Sequence, residues 1–169
     1  ERIAEFAGKI DADLILNIQG DEPFIDKKSL KKLINVFKSD DREKIDLASL
    51  MQTIDSEDEI KDPNIVKVTL TKDNYALYFS RSVIPYKRTK DINVNYFKHI
   101  GVYAFRKESL LLYNKPISSR LEEIEKLEQL RFLEIGKRIK MVHTDYKAIG
   151  IDVMQDLIKA RKIINAKNS

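Results

Sequence analysis

The sequence predicts an α/β fold, in which a mainly parallel sheet is flanked by helices and carries an inserted antiparallel hairpin. Apolar runs of strand length, bounded by turn residues, are typical of strands that helices cover on both faces. These runs alternate with segments in which apolar residues repeat at helical spacing. The β-rich middle, residues 65–105, has two runs joined by the turn Lys72-Asp73-Asn74, which predicts the hairpin. No Pro/Gly-rich linker interrupts the chain, so we expect residues 1–169 to form a single domain.

The predicted elements follow one another in a regular order. Apolar spacing predicts a helix end at residues 1–10 and a helix after residue 26, which Asp26 or Ser29 caps. Gly136 ends a helix over residues 120–135. The remaining predictions are strands at 13–19, 46–54, 65–70, 75–80, 98–105 and 139–146, and helices near 56–60, 107–113 and 153–164.

Composition excludes several classes of protein. No run approaches the roughly 20 apolar residues that span a bilayer, so we expect no membrane partner. The absence of cysteine excludes thiolate metal sites and thiol catalysis, and it fits a reducing compartment. The 31 basic and 27 acidic residues are interspersed, whereas nucleic-acid binders usually concentrate basic residues in a stripe, so we expect no nucleic-acid partner.

Two carboxylates follow the first predicted strand directly. Asp21 and Glu22 come after Gly20 and before Pro23, which ends sheet pairing. In open α/β sheets the ligand crevice lies beyond the carboxyl ends of the strands, so both side chains emerge where a substrate would bind. Asp21 is a hard oxygen ligand of the kind that suits Mg²⁺. The alternative is an ordinary strand exit with solvated acids.

A second aspartate occupies a similar position. Asp152 follows Gly150 between the last predicted strand and the last helix. It either caps that helix, which usually contributes about 1 kcal/mol, or converges with Asp21 on a shared metal ion. The two roles are compatible, because helix caps lie at the mouths of α/β sheets.

Later elements carry further candidate residues. Strand alternation places His99 and Tyr103 on one face with a glycine between them, which suits a small polar ligand or a structural histidine. Glu128 and Gln129 flank the apolar stripe of a helix and can point at a site. Arg81, at a strand end, is able to pair with a carboxylate or phosphate, or to form a surface ion pair.

Several segments together resemble one family. In chain order they are Asn17-Ile18-Gln19-Gly20-Asp21-Glu22-Pro23, Tyr75-Ala76-Leu77-Tyr78-Phe79-Ser80-Arg81 with Ile84-Pro85, His99-Ile100-Gly101-Val102-Tyr103, Leu127-Glu128-Gln129-Leu130-Arg131 and Gly150-Ile151-Asp152. Their combination and order resemble the 3-deoxy-D-manno-octulosonate (Kdo) cytidylyltransferases, also called CMP-Kdo synthetases. The resemblance covers essentially the whole chain, and it is specific although each piece alone is weak.

The resemblance implies an activity and a biological setting. The expected fold is nucleotidyltransferase-like, or Rossmann-like. The expected enzyme is a Mg²⁺-dependent cytidylyltransferase that joins CTP and Kdo into CMP-Kdo and pyrophosphate for lipopolysaccharide biosynthesis. Members of this family are cytoplasmic homodimers, so the resemblance implies a cytoplasmic homodimer here as well.

The resemblance also assigns roles to individual residues. Asp21 and Asp152 match the metal-binding aspartates of the family and carry the catalytic role. The positions that match the sugar pocket are Gln19, Arg81, His99, Tyr103, Glu128 and Gln129. Arg88, in Pro85-Tyr86-Lys87-Arg88, matches another arginine near that pocket.

The chain departs from the family at its start. The family opens with a basic, glycine-containing loop that binds CTP, and neither that loop nor another glycine-rich phosphate loop occurs here. We therefore expect the N-terminal part to be missing, the chain to be the C-terminal portion of the enzyme, and this portion alone to be inactive. Two alternatives stay open: a cytidylyltransferase for another sugar acid, such as 8-amino-Kdo, and a non-catalytic sugar-binding or dimerisation module.

Overall fold

A computed structural model describes residues 2–20, 22, 24–40, 44–112, 119–146, 154, 158 and 160–162. The helices within these residues are Arg2–Ala7 (α1), Lys27–Lys38 (α2), Glu57–Lys61 (α3), Lys107–Leu112 (α4), Arg120–Glu125 (α5) and Gln129–Glu134 (α6). The strands are Leu14–Ile18 (β1), Leu47–Ile54 (β2), Lys67–Leu70 (β3), Ala76–Ser80 (β4), Tyr96–Arg106 (β5) and Ile139–His143 (β6). None of the helices described is long and apolar enough to cross a membrane.

The long strand β5 lies at the centre of one sheet. One of its edges pairs with β2, and its other edge pairs with β3 near one end and with β1 near the other. These three neighbours all run antiparallel to β5, and β6 runs parallel to β2. Thus β1, β2, β3 and β6 share one direction, but β5 separates β1 and β3 from β2. The sheet is therefore mixed where the sequence predicts a mainly parallel one, and β2–β6 is the parallel pair among the described strands.

The predicted hairpin is confirmed, and its turn also contacts β6. Strands β3 and β4 pair antiparallel, and Asn74 in the turn adopts a left-handed conformation with φ 57°. The backbone N–H of Met141 donates to the carbonyl oxygen of Asn74 at 2.8 Å, and Tyr75 forms an isolated bridge with Lys140. The start of β4 is thereby attached to β6 as well as to β3.

Apolar residues pack in two layers, one on each face of the sheet. On one face, Leu33 and Phe37 of α2 pack in a cluster with residues of β2 and β5 such as Leu50 and Val102. Asp26 caps α2, as predicted, by accepting from the Ser29 N–H at 2.6 Å. On the other face, α1, α4 and α6 contribute to a second cluster. The site described below opens on this second face.

The helix predicted over residues 120–135 is in fact two helices. α5 ends at Glu125, because the next residue, Lys126, has a left-handed backbone (φ 57°) that cannot continue a right-handed helix. The chain then turns, and α6 begins at Gln129. The helix predicted over residues 153–164 falls largely outside the described residues.

Candidate active site

A local irregularity between β2 and β5 shapes the site. Ser49 pairs with Tyr103, but the next residue, Leu50, pairs with Ile100. Two residues of β5, Gly101 and Val102, therefore have no partner on β2. Such bulges bend a strand, redirect its side chains, and are common beside functional sites.

An open cleft of about 410 Å³ lies over this bulge. Its volume is within the range of small-molecule sites. The carboxyl end of β1 and the face of β5 that carries His99 and Tyr103 form two of its boundaries. The others are the junction of α5 and α6, the segment that precedes β3, and Arg81, which follows β4. The predicted site residues that line it are Gln19, Arg81, His99, Tyr103, Glu128 and Gln129. All six residues matched to the sugar pocket thus surround one cavity.

Gly101 makes room for the side chain of Gln19. A Cβ atom at position 101 would lie 3.2 Å from Oε1 and 3.3 Å from Cδ of Gln19. These distances are shorter than ordinary van der Waals contact. The glycine therefore lets the Gln19 side chain lie against the β5 backbone at the edge of the cleft.

His99 is held in place from several sides. Its Nε2 lies 2.9 Å from Oγ of Ser49, and its Nδ1 lies 3.5 Å from Nε2 of Gln129. Its ring makes an edge contact with Phe79 and a tilted contact with Tyr103. Burial lowers the pKa of His99 to about 4, because the charged form is disfavoured away from water. The imidazole is therefore neutral at physiological pH.

Arg81 is anchored before any ligand arrives. Its Nε donates to the carbonyl oxygen of Glu125 and its Nη1 to that of Pro63, each at 3.0 Å. The Glu125 carboxylate in turn accepts from the Ser80 hydroxyl at 2.6 Å and from the Arg81 N–H at 3.0 Å. The guanidinium, which has five N–H donors, thus keeps some for the cleft while its position is fixed.

A buried lysine supports the same wall of the cleft. Lys67 is fully buried, and its ammonium group donates to the carbonyl oxygens of Asp62, Ile65 and Arg81 at 2.9, 2.6 and 2.6 Å. All three of its protons therefore have acceptors. Burial lowers the pKa of Lys67 below its ordinary value.

The cleft carries charges of both signs. Cationic side chains come from Arg81, Lys98 and Lys126, and acidic ones from Glu22 and Glu128. Lys98 is paired with Glu59, which lies 2.8 Å away. Such a cavity suits a polar ligand that carries several hydrogen-bonding groups.

The structure places one predicted residue outside the cleft and does not describe two others. Arg88 is exposed in the chain that follows β4 and does not line the cleft. Asp21 and Asp152 lie outside the described residues. Among the residues that the structure does describe, no group of three or more His, Cys, Asp or Glu side chains could hold a metal ion. The magnesium site therefore stays a prediction, although Glu22, the neighbour of Asp21, lines the cleft.

Sequence reasoning missed three residues that support the site. Ser49 lies in an apolar strand, and nothing local indicates its contact with His99. Glu125 is one of several acidic residues on α5, and nothing local indicates its contacts with Ser80 and Arg81. Lys67 did carry a signal, because it is a lysine inside the apolar run Ile65-Val66-Lys67-Val68.

Comparisons with known proteins agree on one family. The family model described as cytidylyltransferase matches residues 1–139. A 3-deoxy-manno-octulosonate cytidylyltransferase from Flavobacterium johnsoniae is 56% identical over 97% of this chain and 67% of its own length. One from Christiangramia forsetii is 52% identical over 98% of this chain and 66% of its own length.

A solved structure matches the fold as well. It is described as CMP:2-keto-3-deoxy-manno-octonic acid synthetase complexed with CTP, and it superposes with a TM-score of 0.91 at 35% identity. The match covers 98% of this chain and 67% of that one. The chain thus spans about two thirds of the length of the proteins it matches.

Proposed function

Because the chain belongs to the 3-deoxy-manno-octulosonate cytidylyltransferase family, we propose that the protein transfers the cytidylyl group of CTP to Kdo. The products are CMP-Kdo and pyrophosphate. The observation that carries this proposal is the cleft, in which all six residues matched to the sugar pocket meet around one cavity.

The reaction is a phosphoryl-type transfer without a covalent enzyme intermediate. The anomeric hydroxyl oxygen of the sugar forms a bond to the α-phosphorus of CTP. The bond from that phosphorus to the bridging oxygen of the β-phosphate breaks, pyrophosphate leaves, and the hydroxyl proton is released to solvent. Such a transfer depends mainly on positioning the reactants and neutralising charge on the phosphoryl oxygens.

The cleft residues supply the positioning. Arg81, held by two backbone carbonyls, offers its remaining N–H groups to the carboxylate of the sugar acid. His99, being neutral, offers a ring nitrogen lone pair or an N–H to a hydroxyl without adding charge. Glu128 and Gln129, at the start of α6, supply acceptor and amide groups for other hydroxyls.

The proposal includes Mg²⁺ held by Asp21 and Asp152. Carboxylates are the protein ligands that Mg²⁺ prefers beside substrate phosphates, and the ion would neutralise charge on the triphosphate. We further propose that the enzyme is a cytoplasmic homodimer serving lipopolysaccharide biosynthesis. The names of the relatives favour Kdo over an amino-substituted sugar acid, and an enzyme over a non-catalytic module.

The test uses the protein at its natural full length. Incubated with CTP, Kdo and Mg²⁺, it is expected to release pyrophosphate and to form a product with the mass of CMP-Kdo. Absence of that product from a folded preparation would overturn the proposal. A kcat/KM for 8-amino-Kdo above that for Kdo would identify 8-amino-Kdo as the preferred substrate. Asp21→Asn is expected to abolish turnover at ordinary Mg²⁺, whereas near-wild-type activity would remove Asp21 from the metal role. The 169-residue segment alone is expected to be inactive.

A further inference from the structure

The hydroxyl group of Ser49 lies among three polar atoms of β5. Its Oγ is 2.9 Å from Nε2 of His99, 3.1 Å from the carbonyl oxygen of Ile100 and 2.9 Å from that of Val102. Ser49 itself is fully buried. Val102 is one of the two bulge residues without a partner on β2, so this hydroxyl donates within the irregular part of the strand.

A count of donors and acceptors decides the direction of each hydrogen bond. A serine hydroxyl has one proton, and a carbonyl oxygen can only accept. If the proton pointed at His99, the lone pairs of Oγ would face two carbonyl oxygens, and neither carbonyl would receive it. If the proton goes to a carbonyl, Oγ is free to accept from an N–H at Nε2. The second arrangement gives the proton to one of the two carbonyl oxygens, lets Oγ accept from the N–H at Nε2, and leaves Nδ1 of the neutral ring without a proton.

The other side of the ring faces Gln129 and the cleft. Nδ1 of His99 lies 3.5 Å from the amide nitrogen of Gln129, which is the long limit for a hydrogen bond. Both side chains line the cleft. The lone pair on Nδ1 is therefore only weakly used and is available to a donor that enters the cavity.

From this geometry we infer that Ser49 is a positioning residue: it holds His99 in the tautomer protonated at Nε2, so that Nδ1 accepts a hydrogen bond from a hydroxyl of the sugar acid. The second half of this inference rests on the proposed function, whereas the tautomer does not. The low pKa of His99 agrees with it, because Ser49 offers no charge that would stabilise an imidazolium.

The first experiment needs no substrate. Long-range ¹H–¹⁵N spectra of the natural full-length protein, with the His99 ring assigned by His99→Gln, report which nitrogen carries the proton. Near neutral pH we expect a protonated Nε2 and an unprotonated Nδ1. A ring protonated at Nδ1, or at both nitrogens, would overturn the inference even if the enzyme makes CMP-Kdo.

The second experiment compares three variants of the same protein. Ser49→Ala is expected to mix the two tautomers and to raise KM for Kdo about tenfold, with kcat and KM for CTP nearly unchanged. Ser49→Thr keeps the hydroxyl and should restore both the ring spectrum and KM. Ser109→Ala is the matched control, because this buried hydroxyl donates to Asp46 beyond the other end of β5.

The outcomes separate the two proposals. An unchanged ring spectrum and KM in Ser49→Ala, or equal effects from Ser109→Ala, would refute the role of Ser49. If Ser49→Ala fails to fold, the ring spectrum of the unaltered protein and of Ser49→Thr still decides the tautomer. If the unaltered protein makes no CMP-Kdo, the proposed function fails while the tautomer remains measurable.

Discussion

The ammonium group of Lys67 donates to the carbonyl oxygen of Arg81 at 2.6 Å, which links a buried cation to the residue proposed to bind the carboxylate of the substrate. Arg81 reaches back and donates to the carbonyl oxygen of Pro63 at 3.0 Å. The two side chains thus tie the chain before β3 to the end of β4. These hydrogen bonds join the segments that form one wall of the cleft.

Lys67→Met should destabilise the protein strongly. The substitution keeps much of the apolar stem but leaves three carbonyl oxygens without their donor, at a cost of about 3 kcal/mol. Urea denaturation measures this change. Lys107→Met is the control, because Lys107 makes one comparable bond, to the Ile10 carbonyl at 2.6 Å, and its loss should cost about 1 kcal/mol. If both variants lost the same free energy of unfolding, the three carbonyl contacts of Lys67 would contribute no more stability than the single contact of Lys107.

Glu125→Gln should weaken sugar binding indirectly, through the position of Arg81. The carboxylate accepts from both Ser80 and the Arg81 N–H, whereas an amide would turn a donor toward one of them. We expect KM for Kdo to rise about fivefold, which corresponds to about 1 kcal/mol, with KM for CTP unchanged. Steady-state kinetics test this, and Glu123→Gln, an exposed position on the same helix, should have no effect. A rise in both KM values would argue against a specific link through Arg81.

Gly101→Ala should displace Gln19. The added methyl group would lie 3.2 Å from Oε1 of Gln19, so the side chain must move by a few tenths of an ångström. We expect a higher KM for Kdo and a small loss of stability. Gly8→Ala is the control. The Cβ of an alanine at position 8 would lie 3.4 Å from its nearest neighbour, the Glu5 carbonyl oxygen, and Gly8 does not line the cleft. Unchanged kinetics in Gly101→Ala would mean that the position of Gln19 does not matter for the sugar.

Asp46 should contribute to stability at neutral pH and lose that contribution in acid. Burial alone would raise its pKa, but hydrogen bonds from the Arg138 N–H, Lys137 and Ser109 outweigh burial and lower the pKa below its ordinary value of 3.8. Because the folded pKa is the lower one, stabilisation is complete above the unfolded pKa and disappears as the pH falls through the folded pKa. Asp46→Asn should therefore cost about 1–2 kcal/mol near pH 7 and progressively less below about pH 4. Urea denaturation across this range checks the slope, and a cost independent of pH would rule out the ionised carboxylate as its source.

The sequence was sufficient for features that depend on local pattern. Period-two alternation placed His99 and Tyr103 on one face of β5, and the hairpin turn before Tyr75 followed from its residue types. Asp26 was recognisable as a helix cap because capping depends on residues three positions apart.

Features that depend on distant parts of the chain were not predictable in the same way. The central place of β5 follows from pairing among strands far apart in sequence, and no single segment encodes it. The break at Lys126 puts a lysine in a conformation that glycine or asparagine usually adopts, so its residue type gave no warning. The contacts of Ser49 and Glu125 join each side chain to residues between 44 and 53 positions away along the chain. Lys67 likewise contacts Arg81, which is 14 positions away.

The most direct test of the account is a titration of the natural full-length protein with Kdo, followed through the side-chain N–H signals of arginine and glutamine. We predict saturable shifts at Nε–H of Arg81 and at the amide of Gln129. The control is Nε–H of Arg106, which donates to the carbonyl oxygen of Ile45 at 2.9 Å. Arg106 does not line the cleft, so its signal should not shift. Shifts at Arg106 without shifts at Arg81 and Gln129, or no response to Kdo at all, would contradict the assignment of this cleft as the sugar-acid site.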